Sequence, residues 1–220
     1  MTQEEHKEHI VESAMQMFVR QGLKSVRMDD IAQELGISKR TLYELFGDKE
    51  ELLYQCLRLY MNNVNEDVAC KAREGANLLE SILIGFFEMT QYSETNNRIA
   101  GNLRKFYPSV HERLHRELGK EGTERFRNAI AKCVNSGLLD NKANIDLAIT
   151  MLYYMAAGIV ARKDVIMPEG VSVREAFISV VILFFRGIST TEGLQIIDDF
   201  AASERFRHYM EEQTGGAKLF

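Results

Sequence analysis

The amino-acid sequence predicts an all-α protein. Only two prolines interrupt 220 residues, the apolar residues recur mostly at intervals of three and four, and no sustained alternation of apolar and polar residues marks a strand. With 45% hydrophobic residues the chain has the ordinary composition of a globular protein with a real core.

Glycines punctuate the first fifty residues. Gly22, Gly36 and Gly47 each end a periodic segment and are followed within a few residues by a helix-starting signal. The first helix runs from Thr2, paired with Glu5 in a capping box, to Gly22, and buries Ile10, Ala14, Met17 and Phe18. A second covers about Arg27 to Leu35, with Asp29 and Asp30 in its first turn, where the helix dipole favours them, and Ile31, Ala32 and Leu35 facing inward. Gly36, Ile37 and Ser38 then supply a positive-φ residue, an apolar plug and a cap, the spelling of a helix-turn-helix. The third helix, Lys39 to Phe46, turns Leu42 and Phe46 inward and leaves Lys39, Arg40, Tyr43 and Glu44 outside, with Thr41 near its leading end. Asp48 caps the fourth helix, which continues to about Cys70, and places Lys49 in its first turn. The dipole disfavours a cation there, so Lys49 calls for a functional explanation, which a nearby phosphate would supply. A short helix with cations at its leading end and a tyrosine on its outer face fits a major groove about 12 Å wide.

Further helices are expected near Asn77 to Tyr92, Asn97 to Phe106, Ser109 to Leu139, Ile145 to Arg162, Ser172 to Ser189 and Glu192 to Gln213, with a loose tail from 214 to 220. The segments from Ile145 and from Val173 are apolar nearly all round, more than one small helical domain can bury, which suggests a second copy of the chain.

Composition excludes several classes. Cys56, Cys70 and Cys133 are far apart with no CxxC pair, which argues for buried free thiols and against a zinc ribbon or disulfide framework. The polar, acidic opening MTQEEHKEHI is unlike a secretory signal, so a cytoplasmic protein is expected. The longest nearly uncharged run, 147–161, falls short of the roughly 20 residues of a membrane span. A net charge of -5 speaks against nucleic acid on average, but a duplex responds to the local potential of the docking face. Residues 111–115 spell HERLH, the spacing of a zinc protease. A third ligand is missing, since Leu118 and Glu121 stand where one pattern needs Gly and His, and Val134 and Asn135 meet the other. Ser109 and Glu112 form a capping box that gives the glutamate another role, and Arg113 and Arg116 oppose a dication. No resident metal or cofactor is expected, His111 and His115 being the leading candidates for a regulatory metal ahead of His6 and His9, and no catalytic arrangement is apparent elsewhere.

Phe18, Gly22 and the stretch IAQELGISKRTLYELFGDKEEL from Ile31 to Leu52 resemble the TetR/AcrR family of bacterial transcriptional regulators. The resemblance implies a helix-turn-helix DNA-binding domain over 1–50, a helix from residue 48 linking it to a ligand-binding and dimerisation domain over 51–213, and a homodimer on a palindromic operator. It makes Lys39, Arg40 and Thr41 operator-reading residues and Tyr43 and Lys49 phosphate contacts. Two departures stand out: Val26 and Arg27 replace a usual hydroxyl pair, leaving Ser25 or Arg27 to supply that contact, and Glu44 and Leu45 follow the tyrosine. Glu44 either accepts from a cytosine amine or faces solvent. The family also implies a small effector, here apolar or aromatic, among the central helices, where Phe86, Met89, Tyr92, Phe106, Tyr107, Met151, Tyr154 and Met155 are candidates. Ala156, Ala157, Ala161, Val180, Val181 and Phe184 are candidates for a four-helix dimer interface. The competing readings are a metal-responsive regulator using His111 and His115, a zinc-dependent hydrolase, and a helical protein-interaction module.

Overall fold

The computed structural model describes residues 3–142, 144–161 and 168–211; the Thr2 cap and the 214–220 tail lie outside them. Regular structure among these residues is helical apart from one bridge between Leu139 and Ser189. The helices are α1 (Gln3–Gln21), α2 (Met28–Glu34), α3 (Lys39–Phe46), α4 (Lys49–Ala72), α5 (Leu78–Met89), α6 (Ser93–Phe106), α7 (Pro108–Asn135), α8 (Ile145–Ala161), α9 (Val173–Ile188), α10 (Thr191–Ala202) and α11 (Glu204–Glu211). The chain divides into two compact units, Met1–Glu66 with Arg98–Lys120, and Asp67–Asn97 with Glu121–Phe220. The first unit is therefore larger than residues 1–50, and α4, α6 and α7 each continue from one unit into the other.

In the first unit Gly22, Gly36 and Gly47 adopt φ of 92°, 64° and 73°, a region open to glycine without Cβ strain, and end α1, α2 and α3. After Gly36 the Ile37 N–H reaches back to the Ala32 carbonyl at 3.0 Å, closing the helix end. Ile10, Ala14, Met17 and Phe18 of α1 form the core with Ile31, Leu42, Leu52 and Leu57. Leu35 and Ile37 are only half-buried, because the turn that holds them lies at the rim.

Three boundaries differ from the sequence expectation. Residues 90–92 form a 3-10 turn that runs into α6 at Ser93, so the expected gap before Asn97 is helical. Pro108 opens α7, with the Tyr107 carbonyl accepting from the His111 N–H at 3.0 Å, the position at which a missing proline N–H costs nothing. Ser109 is thus inside the helix and donates to the Glu50 carboxylate instead of capping with Glu112. The expected carboxy-terminal helix breaks at Ser203, whose Oγ donates to the Phe200 carbonyl at 2.6 Å and accepts from the Phe206 N–H at 3.1 Å, starting α11.

Phe87 of α5, Ile130 and Cys133 of α7, and Ile178, Val181 and Phe185 of α9 anchor the core of the second unit. Among the described residues one charge is buried in it. Glu88 accepts from Tyr209 of α11 at 2.7 Å, Lys71 of α4 at 2.9 Å and Gln91 at 3.0 Å, so its desolvation is offset by three donors. Burial, and then the Glu88 carboxylate, push the Tyr209 phenol up to about 12. Cys56 and Cys133 are buried as expected, but Cys70 is exposed, since α4 turns that face to solvent.

Candidate nucleic-acid interface

The turn between α2 and α3 presents a short polar helix on an apolar root. Ser38 occupies the N-cap of α3 in an extended conformation, its Oγ accepting from the Thr41 N–H at 3.0 Å and lying 2.8 Å from the Thr41 hydroxyl. Leu42 and Phe46 are buried, which leaves Lys39, Arg40, Tyr43 and Glu44 exposed and Thr41 half-buried. Arg27 takes the N-cap position of α2, and its N–H donates to the Asp30 carboxylate at 2.8 Å. Buried Val26 roots this approach while Ser25 and Arg27 remain exposed beside it.

The exposed cations of α3 are paired within the chain. Lys39 Nζ lies 2.7 Å from Asp29 of α2, and Arg40 Nε lies 2.7 Å from Glu44 one turn on. The Asp29 hydrogen bond and charge hold the Lys39 ammonium above its ordinary pKa. Glu44 therefore faces solvent with a cation beside it.

Lys49 points inward. Its Nζ donates to the Leu23 carbonyl at 2.8 Å and to Lys24 at 3.4 Å, with the rings of Tyr107 and Phe18 at 5.3 and 5.7 Å. The cation disfavoured by the dipole of α4 thus donates to carbonyls after α1, a set of partners that sequence spacing could not reveal. Tyr107 OH donates to the same Leu23 carbonyl at 3.2 Å.

The HERLH segment contributes a brace between α4 and α7 in the first unit. The Arg113 guanidinium sits 3.4 Å from the Tyr54 ring centroid and donates to Glu51 at 2.6 Å, with Glu117 at 3.5 Å. Tyr54 OH donates to Glu117 and, with Arg113 beside it, holds that carboxyl below its ordinary range. His111 and His115 stack with ring planes 1° apart and centroids 6.1 Å apart. Burial, then Arg104, lower the His111 pKa. Among the described residues no three His, Cys, Asp or Glu side chains gather in a metal-holding cluster.

The residues expected around an effector fall into three places. Phe86 packs with Phe126, Phe177 and Phe185 at ring distances of 5.2 to 6.4 Å. Near it in sequence, Met89 is exposed and Tyr92 OH donates to Asp67 at 2.7 Å. Phe106 and Tyr107 belong to the first unit, Phe106 lying 4.8 Å beneath the Lys24 ammonium. Met151, Tyr154 and Met155 are exposed on α8. Of the expected interface residues, Val181 is fully buried in the core and Val180 and Phe184 are half-buried against it, while the side chains of Ala156, Ala157 and Ala161 lie outside those described. Outward apolar residues among those described include Leu147, Met151, Tyr153, Tyr154 and Met155 of α8 and Leu183 of α9. No helix among the described residues is long and apolar enough to cross a membrane.

Comparison with known proteins agrees with this geometry. Residues 10–56, inside the first unit, match the family described as bacterial regulatory proteins, tetR family. The HTH-type transcriptional regulator AcrR of Shigella flexneri is 25% identical over 145 residues, 62% of this chain and 67% of that protein. The biofilm operon icaADBC HTH-type negative transcriptional regulator IcaR of Staphylococcus aureus strain Newman is 25% identical over 126 residues, 52% of this chain and 68% of that one. A transcriptional regulator of the TetR/AcrR family from Thermobifida fusca YX-ER1 superimposes with a TM-score of 0.62 at 25% identity, over 83% of this chain and 98% of its own. A TetR-family regulator from Mesorhizobium loti MAFF303099 shares the fold, with a TM-score of 0.63 at 18% identity over 86% and 100% of the two chains. Residues 10–56 thus carry the DNA-binding helix-turn-helix of the TetR family of bacterial regulatory proteins, and the chain as a whole is similar to TetR/AcrR-family transcriptional regulators.

Proposed function

We propose that the chain is an effector-responsive repressor that binds a palindromic operator as a homodimer in the bacterial cytoplasm. The observation that carries this reading is α3, an eight-residue helix rooted by Leu42 and Phe46, whose outer face holds Lys39, Arg40 and Tyr43. In a major groove Lys39, Arg40 and Thr41 meet base edges, while Tyr43, Ser25 and Arg27 meet the flanking backbone. Leu147, Met151 and Tyr154 on α8 are 55%, 53% and 71% exposed, and Leu183 on α9 is 68% exposed, an apolar set whose α8 members recur at helical spacing and suit a second copy. In such a dimer the recognition helices must lie about 34 Å apart to enter successive grooves. Helices α4, α6 and α7 pass between the units, which supports an effector in the second unit acting on that spacing. Negative regulation by the IcaR relative favours repression over activation. The effector is a small apolar or aromatic molecule, a reading supported by the rings of Phe86, Phe126, Phe177 and Phe185.

The test is selection from a random duplex pool by wild type and by a Lys39→Ala, Tyr43→Ala variant. Enrichment of a palindrome by wild type alone is the expected result. Identical behaviour of the two proteins would remove DNA reading by α3.

A further inference from the structure

The two cations of α3, Lys39 and Arg40, both lie in ion pairs that the chain makes with itself. One pair bridges the turn to Asp29 and the other spans one helical turn to Glu44, each at 2.7 Å. All four side chains are more than half exposed, so each pair is weak in water and opens at little cost. Lys39 also lies 5.9 Å from the Tyr43 ring, which orients it along the same face.

We propose that Asp29 and Glu44 set specificity by holding Lys39 and Arg40 in these pairs, which withholds both cations from non-specific phosphates and releases them to the base edges of the operator. This rests on the reading of α3 as the recognition helix. On a generic duplex, a cation moving to a phosphate exchanges one anionic partner for another, and leaves an unpaired carboxylate beside a polyanion. The net gain is small. On the operator, a base edge offers fixed acceptors in bidentate geometry, and a good pair of that kind outweighs the weak surface pair it replaces. Asp29 and Glu44 thus lower affinity for random sequence more than affinity for the cognate site. Asp29 suits the helix dipole of α2, and its second role depends on a partner ten positions away across the turn.

The test compares Asp29→Asn and Glu44→Gln with wild type by fluorescence anisotropy, on a short random-sequence duplex and on the duplex selected by the wild type. Glu34→Gln is the control, since Glu34 is an exposed carboxylate at the end of α2 for which the structure records no ion pair. On random duplex each test variant should bind about three- to tenfold more tightly, and its log–log salt slope between about 50 and 200 mM should steepen by about 0.9, one extra phosphate neutralised. On the selected duplex the slope should stay as in wild type, because the freed cations meet bases there. Specificity therefore falls by at least about threefold. Unchanged slopes on random duplex, or an equal steepening in Glu34→Gln, would overturn the proposal, the second result reducing it to net charge. Melting curves run in parallel check that Asp29→Asn leaves α2 folded, and Glu44→Gln tests the idea without touching α2. A wild type that binds no duplex would sink the DNA-binding reading itself and this proposal with it, an outcome distinct from a selective wild type with indifferent variants.

Discussion

Replacing Lys49 by methionine should lower the stability of the first unit while leaving the salt dependence of DNA binding nearly unchanged. The substitution keeps an unbranched stem against Phe18 and Tyr107 and deletes the ammonium that donates to Leu23 and Lys24. A hydrogen bond from a charged donor contributes about 1.5–3 kcal/mol, and cation–π attraction about 0.5–1 kcal/mol at exposed sites. Two features reduce the sum: the Lys24 bond is long at 3.4 Å, and Tyr107 OH still satisfies the Leu23 carbonyl once the lysine is gone. The net loss should be about 2 kcal/mol, which for a chain of this size lowers the melting temperature by about 4–8 °C. Circular dichroism of the thermal transition gives the first quantity. Titration of a duplex across a range of salt gives the second. A melting temperature within about 1 °C of wild type, together with a salt slope reduced by about 0.9, would refute the reasoning and return Lys49 to a phosphate.

Leu183→Glu should convert the proposed dimer to monomer in sedimentation velocity without lowering helix content, because this leucine is 68% exposed and its replacement disturbs no core. Tyr209→Phe removes a hydrogen bond to the buried Glu88 carboxylate at 2.7 Å and should cost about 1.5–3 kcal/mol, read from the urea midpoint and from faster amide exchange in α11. His111 has a folded pKa depressed by burial, Arg104 and His115, so its contribution to stability is present above the unfolded value of about 6.5 and is lost as pH falls through the folded value. Wild type should therefore lose more melting temperature between about pH 7 and 5 than His111→Gln does, and equal losses would count against a depressed His111 pKa.

The amino-terminal quarter was the most legible part of the chain because its signals are local. The limits of α3, its Ser38 cap and the positive φ of Gly36 and Gly47 depend on residues within a few positions of one another. The second unit was less legible for the opposite reason. Its segments around α8 and α9 are apolar nearly all round, so periodicity does not say which face turns in; Val181 proved to be core and Leu183 surface. Of the residues grouped around an effector by sequence, Phe106 and Tyr107 belong to the first unit, a division of the chain that local spacing does not carry. The break at Ser203 was hidden because the amphipathic pattern continues through it, while a single hydroxyl turns the chain.

By itself, then, the sequence determined the helical class, the helix-turn-helix, its polar outer face and the family, all of which rest on periodicity, caps and short spacings. Only the tertiary structure decided who pairs with whom at long range. It sent Lys49 to the carbonyls of Leu23 and Lys24, Arg113 of HERLH to Tyr54 and Glu51, and Lys39 to Asp29. Charged side chains are long and flexible, and their partners depend on which helices pack side by side, a relation that one-dimensional spacing does not carry.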